Sequence, residues 1–352
     1  MNSLETFLKD NWQRLALDRF GSPGRVSCVL ATPRFRASGH VVFLVLSDWL
    51  PTPVLVGKVP RLPGDDRPLA REAANLRALQ LVRAGGFDCV PQLVAYETKP
   101  GQSLLLETAV LGTPVRLGAN GTTSIVDKIV EWLIEFHLAT MRSCDTVAEW
   151  CERLVDDPGE QFLTRLRSTA AERQLVSRTA DIAAPLRDRK IPLVFEHGDF
   201  SPPNILADHD GTIGIVDWEL AEPDGLPALD LFFFLAATAF ARDGASTEEG
   251  YLAAFHRAFF GASAWARPYI SRYAQRLGLP EHLLAPLFVL CWSRYVTTLA
   301  GRLHDLEGGV LDSDSSAWLR SNRYYSLWNY AVTHYHDLNL CETSTRAVAR
   351  VA

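Results

Sequence analysis

The stretch from Val194 to Leu231 constrains this chain more than any other. It reads Val-Phe-Glu-His-Gly-Asp-Phe-Ser-Pro-Pro-Asn-Ile-Leu, passes a short turn, and resumes as Gly-Ile-Val-Asp-Trp-Glu and then Pro-Ala-Leu-Asp-Leu. Two apolar runs, Ile191 to Phe195 and Ile213 to Val216, have strand composition, and beyond each stands an aspartate, Asp199 and Asp217. Asp208, His209, Asp210 and Gly211 between them carry the turn chemistry that folds a chain back on itself. The pattern predicts a small hairpin with Asp199 and Asp217 close together at one end and Asn204 beside them. Two carboxylates and a carboxamide at one spot are hard oxygen donors, the set that suits magnesium held against phosphate.

The spacing is specific: His-Gly-Asp, four residues, Asn, twelve residues, Asp-Trp-Glu. It resembles the signature of the aminoglycoside phosphotransferase and choline kinase family, distant relatives of the protein kinases. In that family the first aspartate faces the acceptor hydroxyl, while the asparagine and second aspartate hold the metal ions bridging the nucleotide phosphates. By position those roles fall on Asp199 as catalytic residue and on Asn204 and Asp217 as metal ligands. The resemblance also implies that His197 organises the catalytic loop and that Asp230 anchors it from the following helix. Glu219 either touches a second metal or braces the loop. An isolated His-Gly-Asp would read as turn residues capping strands; three elements in register argue for a site.

Upstream, Val26 to Ala31, His40 to Leu46 and Pro53 to Val59 are apolar, β-branched runs parted by Pro, Gly, Ser and Asp, and predict a three-stranded antiparallel meander. Val90 to Tyr96 and Ser103 to Thr108 extend it to five strands. The loop 32–39 would cover the phosphates, with Ser38 and Gly39 as its candidate contacts, although it lacks a G-x-G-x-x-G pattern. Lys58 stands in the third strand, where a charge must snorkel to solvent or find a partner. Only five of the 35 basic residues are lysine, and a compact ammonium suits a point contact to α- and β-phosphates. Asp66 and Pro68 open a helix with a stripe at Leu69, Ala73, Leu76 and Leu79, ended by Gly85 and Gly86. Glu72 lies one turn in. A first-turn acid also answers the helix dipole, but in the resembling family a glutamate here pairs with the strand lysine. The segment Glu107 to Val110 resembles the hinge between lobes, whose backbone groups read an adenine edge.

A short amphipathic helix over residues 2–20 precedes the sheet, with Ser3 as its cap. After Gly112 the chain turns helical. A capping-box-like start at Ser124 and Asp127, a buried helix within Leu229 to Ala241, a capping box at Ser246 and Glu249, and long helices at 283–303 and 317–335 mark its course. His137 reads as a packed or capping histidine, and the aromatics from Trp318 to Tyr335 read as core.

With 352 residues, 47% of them hydrophobic, the chain can bury a sizeable core, and a formal charge of −6 gives no footprint for nucleic acid. Six scattered cysteines without a C-x-x-C pair read as reduced thiols, and the first residues lack the apolar core of a signal peptide, so a cytoplasmic protein away from membranes is expected. The longest apolar run, within Leu229 to Ala241, is too short to span a bilayer. The expected fold is α+β, bilobal and protein-kinase-like. It has an N-terminal nucleotide lobe over 1–106, a hinge at 107–113, and a mainly helical catalytic and substrate lobe over 114–352. The expected activity is transfer of the γ-phosphate of ATP, with GTP as the other donor to test, to a hydroxyl of a small molecule with Mg2+. The acceptor would be an aminoglycoside, sugar, amino alcohol or natural product, and the protein a monomer or homodimer. Nine acids and nine arginines in residues 240–340 give no acidic bias toward a polycation. The alternative is a catalytically silent kinase-like fold that binds a nucleotide or a partner.

Overall fold

The computed structural model describes residues 3–22, 26–31, 40–48, 50–62, 64–83, 86–99, 102–118, 122–143, 147–187 and 189–341. Its strands are β1 (Val26–Leu30), β2 (His40–Ser47), β3 (Pro53–Pro60), β4 (Leu93–Lys99), β5 (Gln102–Thr108), β6 (Thr113–Pro114), β7 (Arg142–Ser143), β8 (Pro192–Glu196), β9 (Ile205–Ala207), β10 (Ile213–Ile215) and β11 (Glu222–Gly225). Its first six helices are α1 (Ser3–Asn11), α2 (Arg67–Val82), α3 (Thr122–Thr140), α4 (Val147–Cys151), α5 (Asp157–Arg165) and α6 (Ala170–Ala183). Six more follow: α7 (Leu229–Asp243), α8 (Glu248–Phe259), α9 (Arg267–Leu277), α10 (Leu284–Glu307), α11 (Ser313–Arg320) and α12 (Arg323–Thr333). By their contacts the described residues gather into two compact units, Met1–Arg116 with His197–Pro223, and Leu117–Glu196 with Asp224–Ala352.

The first unit is built on the expected five-stranded antiparallel sheet, in the order β1-β2-β3-β5-β4. Because side chains alternate across a strand, each strand serves two faces. Leu55, Leu104 and Leu106 join Leu4, Leu8, Trp12 and Leu17 from the N-terminal segment, while Leu105 on the opposite face meets Leu69 and Ala73 of α2. Fully burying each such side chain is worth about 1.5–3 kcal/mol, which explains why the inner strands are apolar on both faces. Gly57 permits the close approach of α1, since a Cβ there would lie 2.7 Å from Leu4 Cδ2. Its neighbour Lys58 therefore points to the α2 face. The N-terminal helix stops at Asn11 and is followed by a 3-10 turn over Leu17–Phe20. Strand β4 starts at Leu93 rather than Val90, because Phe87 to Val90 closes a turn (3.0 Å) and Pro91 has no N–H to give a ladder.

One expectation is corrected. The partner of β10 is β9, paired Ala207 with Ile213 and Ile205 with Ile215, and not the run Ile191 to Phe195. A turn as short as Asp208–Gly211 joins the residues immediately flanking it, and Asp208 N–H donates to Thr212 O at 3.1 Å. Strand β6 adds to the free edge of β9. Strand β8 instead pairs with β7, Leu193 opposite Arg142.

The second unit is helical. Helix α10 packs against α5, α6, α7 and α12. Among the described residues, Glu281–Glu307 is long and apolar enough to cross a membrane, yet 78% of its apolar window is buried, so it is the core helix of this unit. It exceeds the run at Leu229 to Ala241 that the sequence singles out. Phe255 stacks with Phe288 (ring centroids 5.4 Å) and meets buried Trp292 edge-on (5.2 Å); of the aromatics from Trp318 to Tyr335 expected as core, Trp328 is buried, while Trp318, Tyr324, Tyr325, Tyr330 and Tyr335 are half-buried. Three helix starts differ from expectation. Helix α3 begins at Thr122, ahead of Ser124. Thr247, not Ser246, caps α8 by accepting from Gly250 N–H. The stretch 317–335 is two helices, because the Asn322 side chain accepts from Tyr324 N–H and starts a new one.

Within this unit Arg294 Nη1 donates to both oxygens of buried Glu196 at 2.8 and 3.1 Å, and Leu226 N–H adds a third bond at 3.2 Å. Removing the arginine strands a buried carboxylate. We expect Arg294→Met to cost about 3 kcal/mol in urea unfolding, with Glu196→Gln in the same chain recovering part of it. A loss below about 0.5 kcal/mol would contradict a desolvated pair.

Candidate active site

Lys58 finds a partner rather than solvent. It is 4% exposed, and Nζ donates to Glu72 Oε1 at 2.5 Å. Glu107 Oε1 also lies 3.3 Å from Nζ. Glu72 itself is fully buried on the apolar stripe of α2, so it is no surface acid answering a helix dipole. Burial alone would lower the Lys58 ammonium, but Glu107, Glu72 and Asp217 together hold it raised. Burial likewise pushes Glu72 up to about 8 against the pull of Lys58, and raises Glu107.

Helix α2 also holds the segment after β10. Glu72 Oε1 accepts from Trp218 N–H at 3.2 Å, and Asn75 Nδ2 donates to Trp218 O at 2.8 Å and Ala221 O at 3.1 Å. Arg71 Nη2 adds bonds to Leu220 O (3.1 Å) and Ala221 O (3.2 Å). The peptide groups on both sides of Trp218 are thereby satisfied by one helix. Asp217, immediately before, adopts φ 69°, ψ 64°, a left-handed conformation that aspartate tolerates better than most residues. One carboxylate thus aligns a lysine from β3 and the backbone that carries Asp217.

The catalytic-loop candidates are tied by the β9–β10 hairpin. Val216 N–H donates to Asn204 O at 3.0 Å, which brings the residue before β9 beside the residue before Asp217. Asn204 Nδ2 donates to Asp199 O (3.0 Å) and to Asp199 Oδ2 (3.1 Å). His197 links the two loops, its Nε2 bonding Val216 O at 3.0 Å and its Nδ1 accepting from Asp199 N–H at 3.3 Å. That pairing assigns the proton to Nε2. The ring lies against fully buried Trp218, centroids 4.6 Å apart. Gly198 has φ 79°, and a Cβ there would stand 2.5 Å from Leu220 O, so only glycine fits between the two loops.

His40, opening β2, comes within 3.5 Å of Glu219 Oε2, and one ligand atom each from His40, Asp217 and Glu219 lie within 4.8 Å of one another. Two carboxylates and an imidazole this close together form a donor set that fits a divalent cation. Among the other expected residues, Val110 packs its side chain over Gly214 of β10. The amides of Thr108 and Ala109 donate to Gln92 O (2.9 Å) and Val54 O (3.1 Å). Ser38 and Gly39 lie outside the described residues. Asp230 belongs to the second unit, 3.4 Å from His137 Nε2, and His137 Nδ1 is 2.6 Å from Tyr273 Oη.

Sequence reasoning missed the side chain of Glu107, together with Asn75, Arg71 and His40. A signal existed for two of them. Alternation sets Glu107 on the same face as Leu105, so its acid had to be buried, and Asn75 interrupts the buried stripe one turn after Glu72.

A pH effect follows. Two carboxyls raised above 4.5 face one ammonium, so the folded cluster keeps a proton that the unfolded chain releases above that pH. The stability this gives is present below about 4.5 and fades as pH rises through about 8. Glu107→Gln removes one acid. Its stability relative to the unchanged protein is expected to improve steadily from pH 5 to pH 8 in urea melts, and a difference that stays constant with pH would contradict the shared proton.

The profile of the phosphotransferase enzyme family (APH) matches residues 36–269. No curated protein matches the sequence. Among solved structures, choline kinase LicA from Streptococcus pneumoniae aligns with a TM-score of 0.54 at 13% identity, covering 93% of this chain and 99% of that one. LicA in complex with AMP aligns at 0.51 and 12% identity, over 95% of this chain and 100% of that one. A fructosamine-3-kinase-like structure from Haemophilus somnus aligns at 0.49 and 14%, over 92% and 97%. The two LicA likenesses carry the kinase-like α+β fold, and the family match spans about two thirds of the sequence: the chain belongs to the phosphotransferase enzyme family.

Proposed function

We propose that this phosphotransferase moves the γ-phosphate of ATP to a hydroxyl of a small molecule. The observation that carries the reading is Glu72, whose one oxygen holds both Lys58 and the backbone beside Asp217. Phosphoryl transfer asks for charge stabilisation and alignment more than for covalent chemistry, and this arrangement supplies fixed charges. Lys58 binds the α- and β-phosphates, and Glu72 aims it. Asp199, oriented by Asn204, accepts the proton of the attacking hydroxyl as the bond to phosphorus forms. Asn204 and Asp217 would hold magnesium, which when bound neutralises phosphate charge, and Glu219 braces that set together with His40. The backbone of Glu107 to Val110, apart from the Thr108 and Ala109 amides already bonded to Gln92 O and Val54 O, takes the nucleobase edge, and Ser38 and Gly39 cover the phosphates. We read His197 as organising the catalytic loop and Asp230 as a supporting residue.

We read residues 1–106 as the nucleotide lobe, 107–113 as the connection, and 114–352 as the catalytic and acceptor lobe. The AMP complex of the similar choline kinase supports a nucleotide here. The described cysteines are free thiols, consistent with a cytoplasmic enzyme.

The test is turnover of ATP with Mg2+ against a panel of amino alcohols, sugars, aminoglycosides and macrolides. At least one acceptor should be consumed, and Asp199→Ala should lower kcat by roughly a hundredfold or more while ATP affinity stays within about twofold. Nucleotide binding with no turnover on any acceptor would instead favour a silent fold.

A further inference from the structure

The side chain of one buried acid has no part in the transfer just described; its backbone lies in the segment read as the nucleobase contact, which a change of side chain leaves in place. Glu107 is 2% exposed on β5, its Oε1 lies 3.3 Å from Lys58 Nζ, and its Oε2 is buried without a hydrogen-bond partner among the described residues. Glu72 Oε2 is likewise unpartnered among the described residues, but Glu72 Oε1 has a shorter contact to the same ammonium and a second donor in Trp218 N–H. The groups facing Glu107 are Lys58 from β3, Glu72 from α2 and Asp217 from the segment after β10. Three carboxyl groups surround one ammonium, so the centre lacks positive charge before any phosphate arrives.

We propose that Glu107 is a restraint on Lys58 that competes with phosphate, a second carboxylate on the ammonium beside Glu72 that sets how strongly the site favours phosphate-bearing over phosphate-free nucleosides. This rests on the nucleotide reading above. Glu72 is fixed by two partners and keeps its hold when Lys58 turns to a polyphosphate. Glu107 is fixed by one and must release. Once the cluster has released its shared proton, the negative charge on Glu107 opposes the phosphates, and a single charge pair of this kind changes affinity by roughly tenfold. Glu107 is therefore a positioning residue, and its effect should scale with phosphate charge and not with nucleobase contact.

The experiment is titration calorimetry of the full chain with adenosine and with ADP, at pH 9, above the range in which the cluster keeps its shared proton, and excess Mg2+, for the unchanged protein, Glu107→Gln and Glu72→Gln. Melting curves verify folding, and Glu107→Asp, which withdraws the acid by one methylene, replaces Glu107→Gln should that variant not fold. Glu107→Gln should bind ADP roughly tenfold tighter with adenosine affinity unchanged within about twofold, while Glu72→Gln should bind ADP more weakly. An ADP affinity that is unchanged in Glu107→Gln, or weakened in parallel with Glu72→Gln, overturns the inference and makes Glu107 a second anchor. Failure of the unchanged protein to bind either compound would overturn the nucleotide reading itself, and the inference with it.

Discussion

A lysine ammonium taken out of water is tolerable only with a carboxylate in contact, and that requirement organises the first unit. Lys58 lies on the α2 face of β3 because Gly57 faces α1, so its charge has no route to solvent and must be met by α2. Glu72 meets it from the one stripe of α2 that is otherwise apolar. A pair replaced by apolar side chains of similar size could be as stable or more so, so its presence is better explained by direction than by stability. It fixes where a positive charge points.

The same carboxylate reaches Trp218 N–H, and Asn75 and Arg71 complete the hold on residues 218–221. Asp217 can then stay in its left-handed conformation, which for a non-glycine residue costs of order 1 kcal/mol and needs surrounding structure to enforce it. From the other side the β9–β10 hairpin sets Asn204 against Val216, and His197 spans the remaining gap. Four sequence segments, at β2 to β3, α2, 197–204 and 216–221, thus converge without any of them being long.

The spacing of His197, Asp199, Asn204 and Asp217 made the loop and its neighbours legible from sequence, because a short turn and hard oxygen donors leave few arrangements. The five-stranded sheet was legible for the same reason: its strands are short, β-branched and punctuated. The hairpin partner is not legible in the sequence, because Ile205 to Ala207 is only three residues long, too short for a strand pattern to stand out from the flanking loop. Glu107 was read for its backbone, although period-two alternation already turned its acid inward. Asn75, Arg71 and His40 depend on which peptide groups another segment leaves unsatisfied, and that is a property of tertiary contact rather than of local pattern. Helix starts at Thr122, Thr247 and Asn322 moved by a few residues because several polar residues nearby could each have served as cap.

The central claim is that Lys58, aimed by Glu72, and the pair Asn204 and Asp217 face one bound polyphosphate. A crystal structure with a non-hydrolysable ATP analogue and Mn2+ tests it most directly. The account predicts Lys58 Nζ within about 3 Å of α- or β-phosphate oxygens and the ion on Asp217 and Asn204. A nucleotide bound elsewhere, or an ion held without either residue, would contradict it.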